Sequence, residues 1–106
     1  MNLFKAAVVQ AAPVLFDTPS TIEKFARLTR DAAGQGANLV VFPEAFIGGY
    51  PKGLDFGARL GTRSSEGREE FRRYFESAID LPGPEMARMG EIARDNGVHI
   101  VVGIIE

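Results

Sequence analysis

One carboxylate follows an apolar run near the middle of the chain and could carry acid–base chemistry. The run from Asn38 to Phe42 predicts a buried β-strand, and Glu44 comes directly after Pro43. In open α/β folds the carboxyl ends of parallel strands are where functional side chains gather. We expect Phe42 and Phe46 to keep water from Glu44, which would favour its neutral form and suit it to proton transfer near neutral pH. A glutamate that merely caps the following turn fits the same spacing.

The segment after Glu44 is rich in glycine and contains Tyr50 and Lys52. Tyr50 has an aromatic body and a polar tip, which suits either the lining of a small-ligand pocket or a packed loop position. The segment is not a phosphate-binding loop, because Leu54 and Asp55 stand where lysine and serine or threonine are needed. The glycines therefore predict turns.

Composition limits the classes of function that the chain can have. The 106 residues are 45% hydrophobic and 25% charged, as expected for one small globular domain. The formal net charge of −2 gives no reason to expect nucleic acid or a membrane surface as partner. Cysteine is absent, so the chain has no disulfide, no thiolate metal site and no thiol nucleophile. With one histidine we expect no metal site, and without a signal peptide or membrane span we expect a cytoplasmic protein.

Three apolar segments predict the strands that position Glu44. They lie within Leu3 to Gln10, Asn38 to Phe42 and Val98 to Ile105, and each is apolar on both faces. Such strands are typical of parallel sheets covered by helices. The order of strands and helical segments predicts βαβ units and an α/β fold.

Apolar residues at helical spacing predict helices in the connections between the strands. Ser20 and Glu23 form a potential capping box for a first helix that ends at Gly34-Gln35-Gly36. A second helix is predicted over residues 66–77, and we expect its apolar stripe, which includes Phe75, to lie in the core; the alternative is that part of the stripe faces a partner subunit.

A last helix is predicted between two punctuating residues. Pro84 suits its first position and Gly97 suits its C-terminal cap. Met86, Met89 and Gly90 share the face that we expect to lie against the sheet.

The residues around Glu44 resemble a known catalytic motif. Phe42-Pro43-Glu44-Ala45-Phe46, followed by Gly48-Gly49-Tyr50-Pro51-Lys52-Gly53, is similar to the first catalytic motif of the nitrilase superfamily, and to its nitrilase branch in particular. The likeness continues through Leu81-Pro82-Gly83-Pro84-Glu85 to Val101 and beyond, over nearly the whole chain. It implies part of an α-β-β-α sandwich, with largely parallel strands and flanking helices. Residues 1–106 would form the N-terminal portion of a single hydrolase domain.

The resemblance also implies a reaction and a set of catalytic roles. Enzymes of this kind convert a nitrile to a carboxylic acid and ammonia through a Cys-Glu-Lys triad, without metal or organic cofactor. By motif position Glu44 is the general base and Tyr50 lines the substrate pocket, whereas Lys52 is not the catalytic lysine. The family's cysteine and lysine lie on later strands, beyond Glu106. We therefore expect the 106-residue chain to be inactive alone, and a longer form to be a homo-oligomer.

Two other functions remain open at this stage. An amidase or carbamoylase of the same superfamily would share Glu44, although the segment from Gly48 to Gly53 favours the nitrilase branch. A non-catalytic remnant that binds partners through an exposed sheet would agree with the missing cysteine.

Overall fold

The computed structural model describes residues 3–48, 69, 72–73 and 75–105. Within these residues the chain alternates short strands with longer helices. The elements in order are β1 (Ala6–Val8), α1 (Thr18–Gly34), β2 (Leu39–Val41), α2 (Pro84–Asn96) and β3 (His99–Val101).

The three strands form one parallel sheet in the order β1-β2-β3. Val40 is the central residue of β2, and it pairs with Ala7 on one side and with Ile100 on the other. The predicted α/β fold with parallel strands is therefore confirmed. The strands are shorter than the apolar runs that predict them.

The hydrophobic core lies between one face of this sheet and the two helices. Val40 is fully buried, and Phe25 of α1 and Ile92 of α2 contribute to the same cluster. Ala7 and Ile100, which flank Val40 in the sheet, pack against it. Burial of these apolar side chains is the main force that holds the helices on the sheet.

The opposite face of the sheet is apolar and uncovered in the described part of the chain. Val8, Val41 and Val101 form one row across it, and Val8 is 71% and Val101 56% exposed. A parallel sheet is normally covered on both faces. The predicted two-sheet sandwich supplies such a cover, and this single sheet is consistent with part of that fold.

Helix α1 begins three residues earlier than the capping-box pattern indicates. Its N-cap is Asp17, whose carboxylate accepts hydrogen bonds from the Ser20 backbone N–H at 3.0 Å and the Ser20 hydroxyl at 2.9 Å. Pro19 lies inside the first turn, where its missing N–H costs no hydrogen bond. The bonds from Ser20 lower the pKa of Asp17, the backbone bond contributing most.

The predicted helix ends are confirmed, but the predicted buried face of α2 is partly wrong. Gly36 and Gly97 both take left-handed backbone conformations after their helices, and α2 begins at Pro84. Met86 is 50% exposed and Gly90 is exposed, whereas Met89 is buried. The helix turns only a narrow stripe toward the core, so Gly90 does not mediate a close approach to the sheet.

Only parts of the predicted helix over residues 66–77 are described. Glu69, Arg72, Arg73, Phe75 and Glu76 have helical conformation. The side chain of Phe75 is 71% exposed, so its predicted place in the core is wrong. Among the described residues no helix has the length and apolar character needed to cross a membrane.

Candidate functional site

Glu44 lies at the carboxyl edge of the parallel sheet, as the sequence predicts. It follows β2 by three residues, beyond Phe42 and Pro43. The next residues fold into a turn, and we call residues 43–48 the Glu44 turn.

The Glu44 turn is a loop between two points that are hydrogen-bonded to the same neighbouring segment. Phe42 N–H donates to the Val101 carbonyl at 2.8 Å, and Ile47 N–H donates to the Gly103 carbonyl at 3.1 Å. The Ile105 N–H in turn donates to the Ile47 carbonyl at 2.8 Å. Ile47 is five residues after Phe42, whereas Gly103 is only two residues after Val101 in the neighbouring segment. The residues between Phe42 and Ile47 must therefore loop out of the sheet. Glu44 is near the top of that loop.

Aromatic packing holds the base of the turn in the core. Phe46 and Ile47 are fully buried, and Phe42 is 4% exposed. The ring of Phe42 lies 4.5 Å from that of Phe25 and 5.1 Å from that of Phe46, measured between centroids. Tilted ring pairs at these separations add to the stability that burial provides.

Glu44 itself is exposed, and the expected shortage of water around it is wrong for the described chain. The rings of Phe42 and Phe46 belong to the core cluster below the turn, so they do not enclose the carboxylate. The loop between them directs residue 44 away from that core. Glu44 is consequently accessible to other groups, and any dry environment must come from elsewhere.

Two residues of the turn have left-handed backbone conformations. Ala45 has φ 52° and Gly48 has φ 102°. For alanine this region costs roughly 1–2 kcal/mol, because Cβ approaches the following carbonyl oxygen. Strained residues of this kind persist where the surrounding structure over-determines them. The hydrogen bonds and buried side chains on both sides of Ala45 provide that constraint.

A buried polar contact supports the end of the turn. The Ser77 hydroxyl donates to the Gly48 carbonyl at 3.4 Å, and the Ser77 carbonyl accepts from the Thr18 hydroxyl. Ser77 and Thr18 are 7% and 9% exposed. The start of α1 and the segment that precedes α2 are thus linked to the last residue of the turn.

The described residues add no other sequence-predicted group to this edge. Tyr50 and Lys52 lie outside the described residues. The sequence has no cysteine, and the described residues hold no cluster of three potential metal ligands. A cavity of about 720 Å³ beside α1 and Arg88 has no lining residue from the Glu44 turn, so it gives no support to chemistry at Glu44.

Sequence reasoning missed the residues that shape the turn. Gly103 packs directly against the backbone of Glu44 and Ala45. An isolated glycine within an apolar strand pattern signals a bulge or a close backbone approach. Gly103 fits that pattern, so its close approach could have been predicted. The left-handed conformation of Ala45 could not, because alanine rarely adopts it.

Comparison with known proteins identifies the family. The carbon-nitrogen hydrolase family model matches residues 5–106. A bifunctional nitrilase/nitrile hydratase from Nicotiana tabacum is 54% identical over 102 residues, which are 96% of this chain and 29% of that protein. Nitrilase 2 from Arabidopsis thaliana is 51% identical over 105 residues, which are 99% of this chain and 31% of that protein.

A bacterial protein gives the same result. The aliphatic nitrilase of Sinorhizobium fredii (strain HH103) is 52% identical over 106 residues, which are 100% of this chain and 34% of that protein. The chain thus spans about a third of the length of these relatives, whose names all include nitrilase. The chain belongs to the carbon-nitrogen hydrolase family, and it corresponds to an N-terminal part of the nitrilase fold.

Proposed function

We propose that this chain supplies the general base, Glu44, of a nitrilase that converts a nitrile to a carboxylic acid and ammonia. The observation that carries the proposal is the position of Glu44. It stands within the Phe42–Phe46 motif, at the top of a turn that the sheet and core hold in place. The named activities of relatives that are more than half identical give the reaction class.

Glu44 would act together with a cysteine and a lysine. As general base it would take the proton of a cysteine thiol, whose sulfur then attacks the nitrile carbon, and it would pass that proton to the nitrile nitrogen to give a thioimidate. A first water releases ammonia and leaves a thioester, and a second water releases the carboxylic acid and the thiol. Glu44 would accept a proton from each water and return it to the leaving group. A lysine cation would stabilise the charge that develops during attack.

The cysteine and the catalytic lysine must come from outside these 106 residues. The sequence contains no cysteine. Lys5 donates to the Gln35 carbonyl at 2.8 Å and Lys24 to the Ala12 carbonyl at 2.5 Å, and neither acceptor belongs to the Glu44 turn. The exposure of Glu44 agrees with a carboxylate whose partners are contributed by further residues. Residues 1–106 would then be one portion of a single catalytic domain, and we place Tyr50 at its substrate pocket on motif position alone.

A second candidate function is non-catalytic binding. It is favoured by the uncovered apolar face of the sheet, where Val8 and Val101 are largely exposed. Exposed faces of this kind promote association with other chains. In a nitrilase the same association would involve further parts of the domain or other copies of the protein, as in the homo-oligomer that we expect.

The test uses the protein from its native source at its natural length. Its intact mass is measured first, and the purified protein is then incubated with a panel of aliphatic and aromatic nitriles and with the matching amides. We expect a mass well above 11.5 kDa, together with carboxylic acid and ammonia from at least one nitrile.

The other outcomes distinguish the alternatives. Turnover of amides without turnover of nitriles would replace the nitrilase by an amidase or carbamoylase. A native mass of 11.5 kDa with no turnover would favour the binding function. An excess of amide over acid as product would indicate release after the first water rather than after the second.

A further inference from the structure

We propose that Gly103 is a positioning residue for Glu44. Because glycine has no side chain, residue 103 lets the turn come close, and this sets the position and orientation of the Glu44 carboxylate. The inference rests on the proposed function of Glu44, but its structural part can be tested separately. That structural part concerns the space around Gly103.

A methyl group at residue 103 would collide with backbone atoms of the Glu44 turn. A Cβ built on Gly103 would lie 2.4 Å from the Ala45 nitrogen, 3.0 Å from Glu44 Cα and 3.1 Å from the Glu44 carbonyl carbon. Real Cβ atoms essentially never approach another heavy atom to less than 3.0 Å. All three neighbours are main-chain atoms, so no rotation of a side chain can relieve the contact. The backbone at Glu44 and Ala45 must move relative to the backbone at residue 103.

The turn has little freedom to move without losing other contacts. Phe42 and Ile47 are hydrogen-bonded to Val101 and Gly103 on either side of Glu44. Phe46 is fully buried between these two points. Ala45 already has a left-handed conformation with φ 52°. Displacement by a new methyl group would therefore tilt or lift the residue that carries the carboxylate.

The requirement for glycine at residue 103 comes from space alone. Gly48, in the same turn, has φ 102°, a conformation that side chains rarely adopt, and a Cβ there would meet the Ile105 side chain at 2.7 Å. Gly103 has no such conformation, so an alanine there would not be strained by its own backbone. The three atoms nearest to such a Cβ all belong to Glu44 and Ala45. A substitution at residue 103 therefore acts on the position of Glu44 more directly than one at residue 48.

The test is Gly103→Ala in the natural-length protein, with kcat, KM and melting temperature measured for nitrile hydrolysis. A shift of about 1 Å in a catalytic group can lower a rate by about a hundredfold. We expect kcat per folded molecule to fall by up to about that factor. KM should change much less, since the displaced group is the general base.

Gly90→Ala is the matched control. Gly90 is exposed on α2, and a Cβ there meets nothing within 4 Å. This variant should keep the wild-type kcat and KM. If Gly103→Ala also keeps the wild-type kcat, or loses activity only in proportion to the unfolded fraction, the positioning role is overturned.

Two further measurements separate this inference from the proposed function. Glu44→Gln reports on the general base, and an active Glu44→Gln variant would overturn the catalytic role of Glu44 whatever Gly103→Ala does. A crystal structure of Gly103→Ala reports on position without any assay. The backbone at residues 44–45 should move by at least about 0.6 Å, which brings the 2.4 Å contact out to 3.0 Å. An unmoved turn would contradict the inference.

A double variant keeps the test decisive if Gly103→Ala alone is insoluble. Adding Ala45→Gly lets the backbone of the turn adopt more conformations and yield to the new methyl group. We expect this double variant to fold with a lowered kcat. Wild-type kcat in the double variant would overturn the proposal.

Discussion

Two turns in the described part of the chain hold a non-glycine residue in the left-handed conformation, but different contacts support them. Phe16 has φ 59° and Ala45 has φ 52°. The turn at Phe16 is closed locally, by the Asp17 N–H that donates to the Val14 carbonyl at 3.1 Å, and Arg73 lies 4.5 Å from the centre of the Phe16 ring. The turn at Ala45 is closed by a strand that comes much later in the chain, through Val101 and Gly103.

The difference shows how a short turn can carry a precisely placed side chain. The turn at Phe16 is held by a local backbone hydrogen bond and by Arg73, neither of which belongs to the sheet, so it can relax while the sheet stays intact. The Glu44 turn can relax only if hydrogen bonds to the β3 segment break or Phe46 leaves the core. Support from rigid elements of the fold is what preorganised sites require. Variants of the two turns can test this difference in support.

Removing the aromatic ring from each turn should have very different costs. Phe46→Ala should lower the free energy of unfolding by about 3–5 kcal/mol, because it leaves a cavity in the core. Phe16→Ala should cost about 1 kcal/mol, the value of a partly exposed ring with a cation above it. Urea unfolding of both variants in the natural-length protein measures the difference. Equal costs would mean that the core does not anchor the Glu44 turn more firmly.

Replacing Ala45 by glycine should release the strain in its backbone. The change removes roughly 1–2 kcal/mol of left-handed strain. It also gives the unfolded chain the extra freedom of glycine, which costs about 1 kcal/mol. Ala45→Gly should therefore change the free energy of unfolding by less than about 1 kcal/mol.

Ala87→Gly, on the exposed side of α2, is the control for Ala45→Gly. It carries the same entropic cost without any release of strain, and should destabilise by about 1 kcal/mol. Thermal unfolding of the pair checks the comparison. A larger loss at residue 45 than at residue 87 would show that Ala45 is not strained.

Acidification should loosen the start of α1 while leaving the Glu44 turn in place. Because its hydrogen bonds with Ser20 lower the pKa of Asp17 in the folded state, the stability that they provide is full above the ordinary aspartate pKa of about 3.9. That stability is lost as the pH falls through the lowered value. The bonds that close the Glu44 turn are backbone bonds, which do not titrate.

Amide hydrogen exchange between pH 5 and pH 2, corrected for intrinsic rates, measures this contrast. Protection of the Ser20 amide should fall before that of Ile47 and Ile105. Asp17→Asn should remove the pH dependence at Ser20 while keeping a capping oxygen. Equal loss of protection at all three amides would contradict the prediction.

Much of the architecture could be predicted because it follows local rules. The parallel strands follow from continuous apolar runs, and the helix ends follow from Pro84, Gly36 and Gly97. The capping-box pattern at Ser20 and Glu23 predicts too late a start for α1, because Pro19 is allowed in the first helical turn and Asp17 caps the helix instead.

The finer features of the site depend on contacts that no local pattern contains. The motif placed Glu44 at the carboxyl edge of the sheet, but its exposure depends on how Phe42 and Phe46 pack with Phe25. The close approach of Gly103 to Glu44 depends on the register between two segments far apart in sequence. The role of Tyr50 stays a prediction.

The most direct test of this account is kcat for nitrile hydrolysis by Glu44→Gln in the natural-length protein. Glu23→Gln is the control, since Glu23 is also exposed and lies on α1. Loss of a general base lowers a rate by about 10²–10⁴-fold, and we expect kcat to fall within that range for Glu44→Gln and to stay unchanged for Glu23→Gln. A Glu44→Gln enzyme with kcat within twofold of the wild type would contradict the central claim.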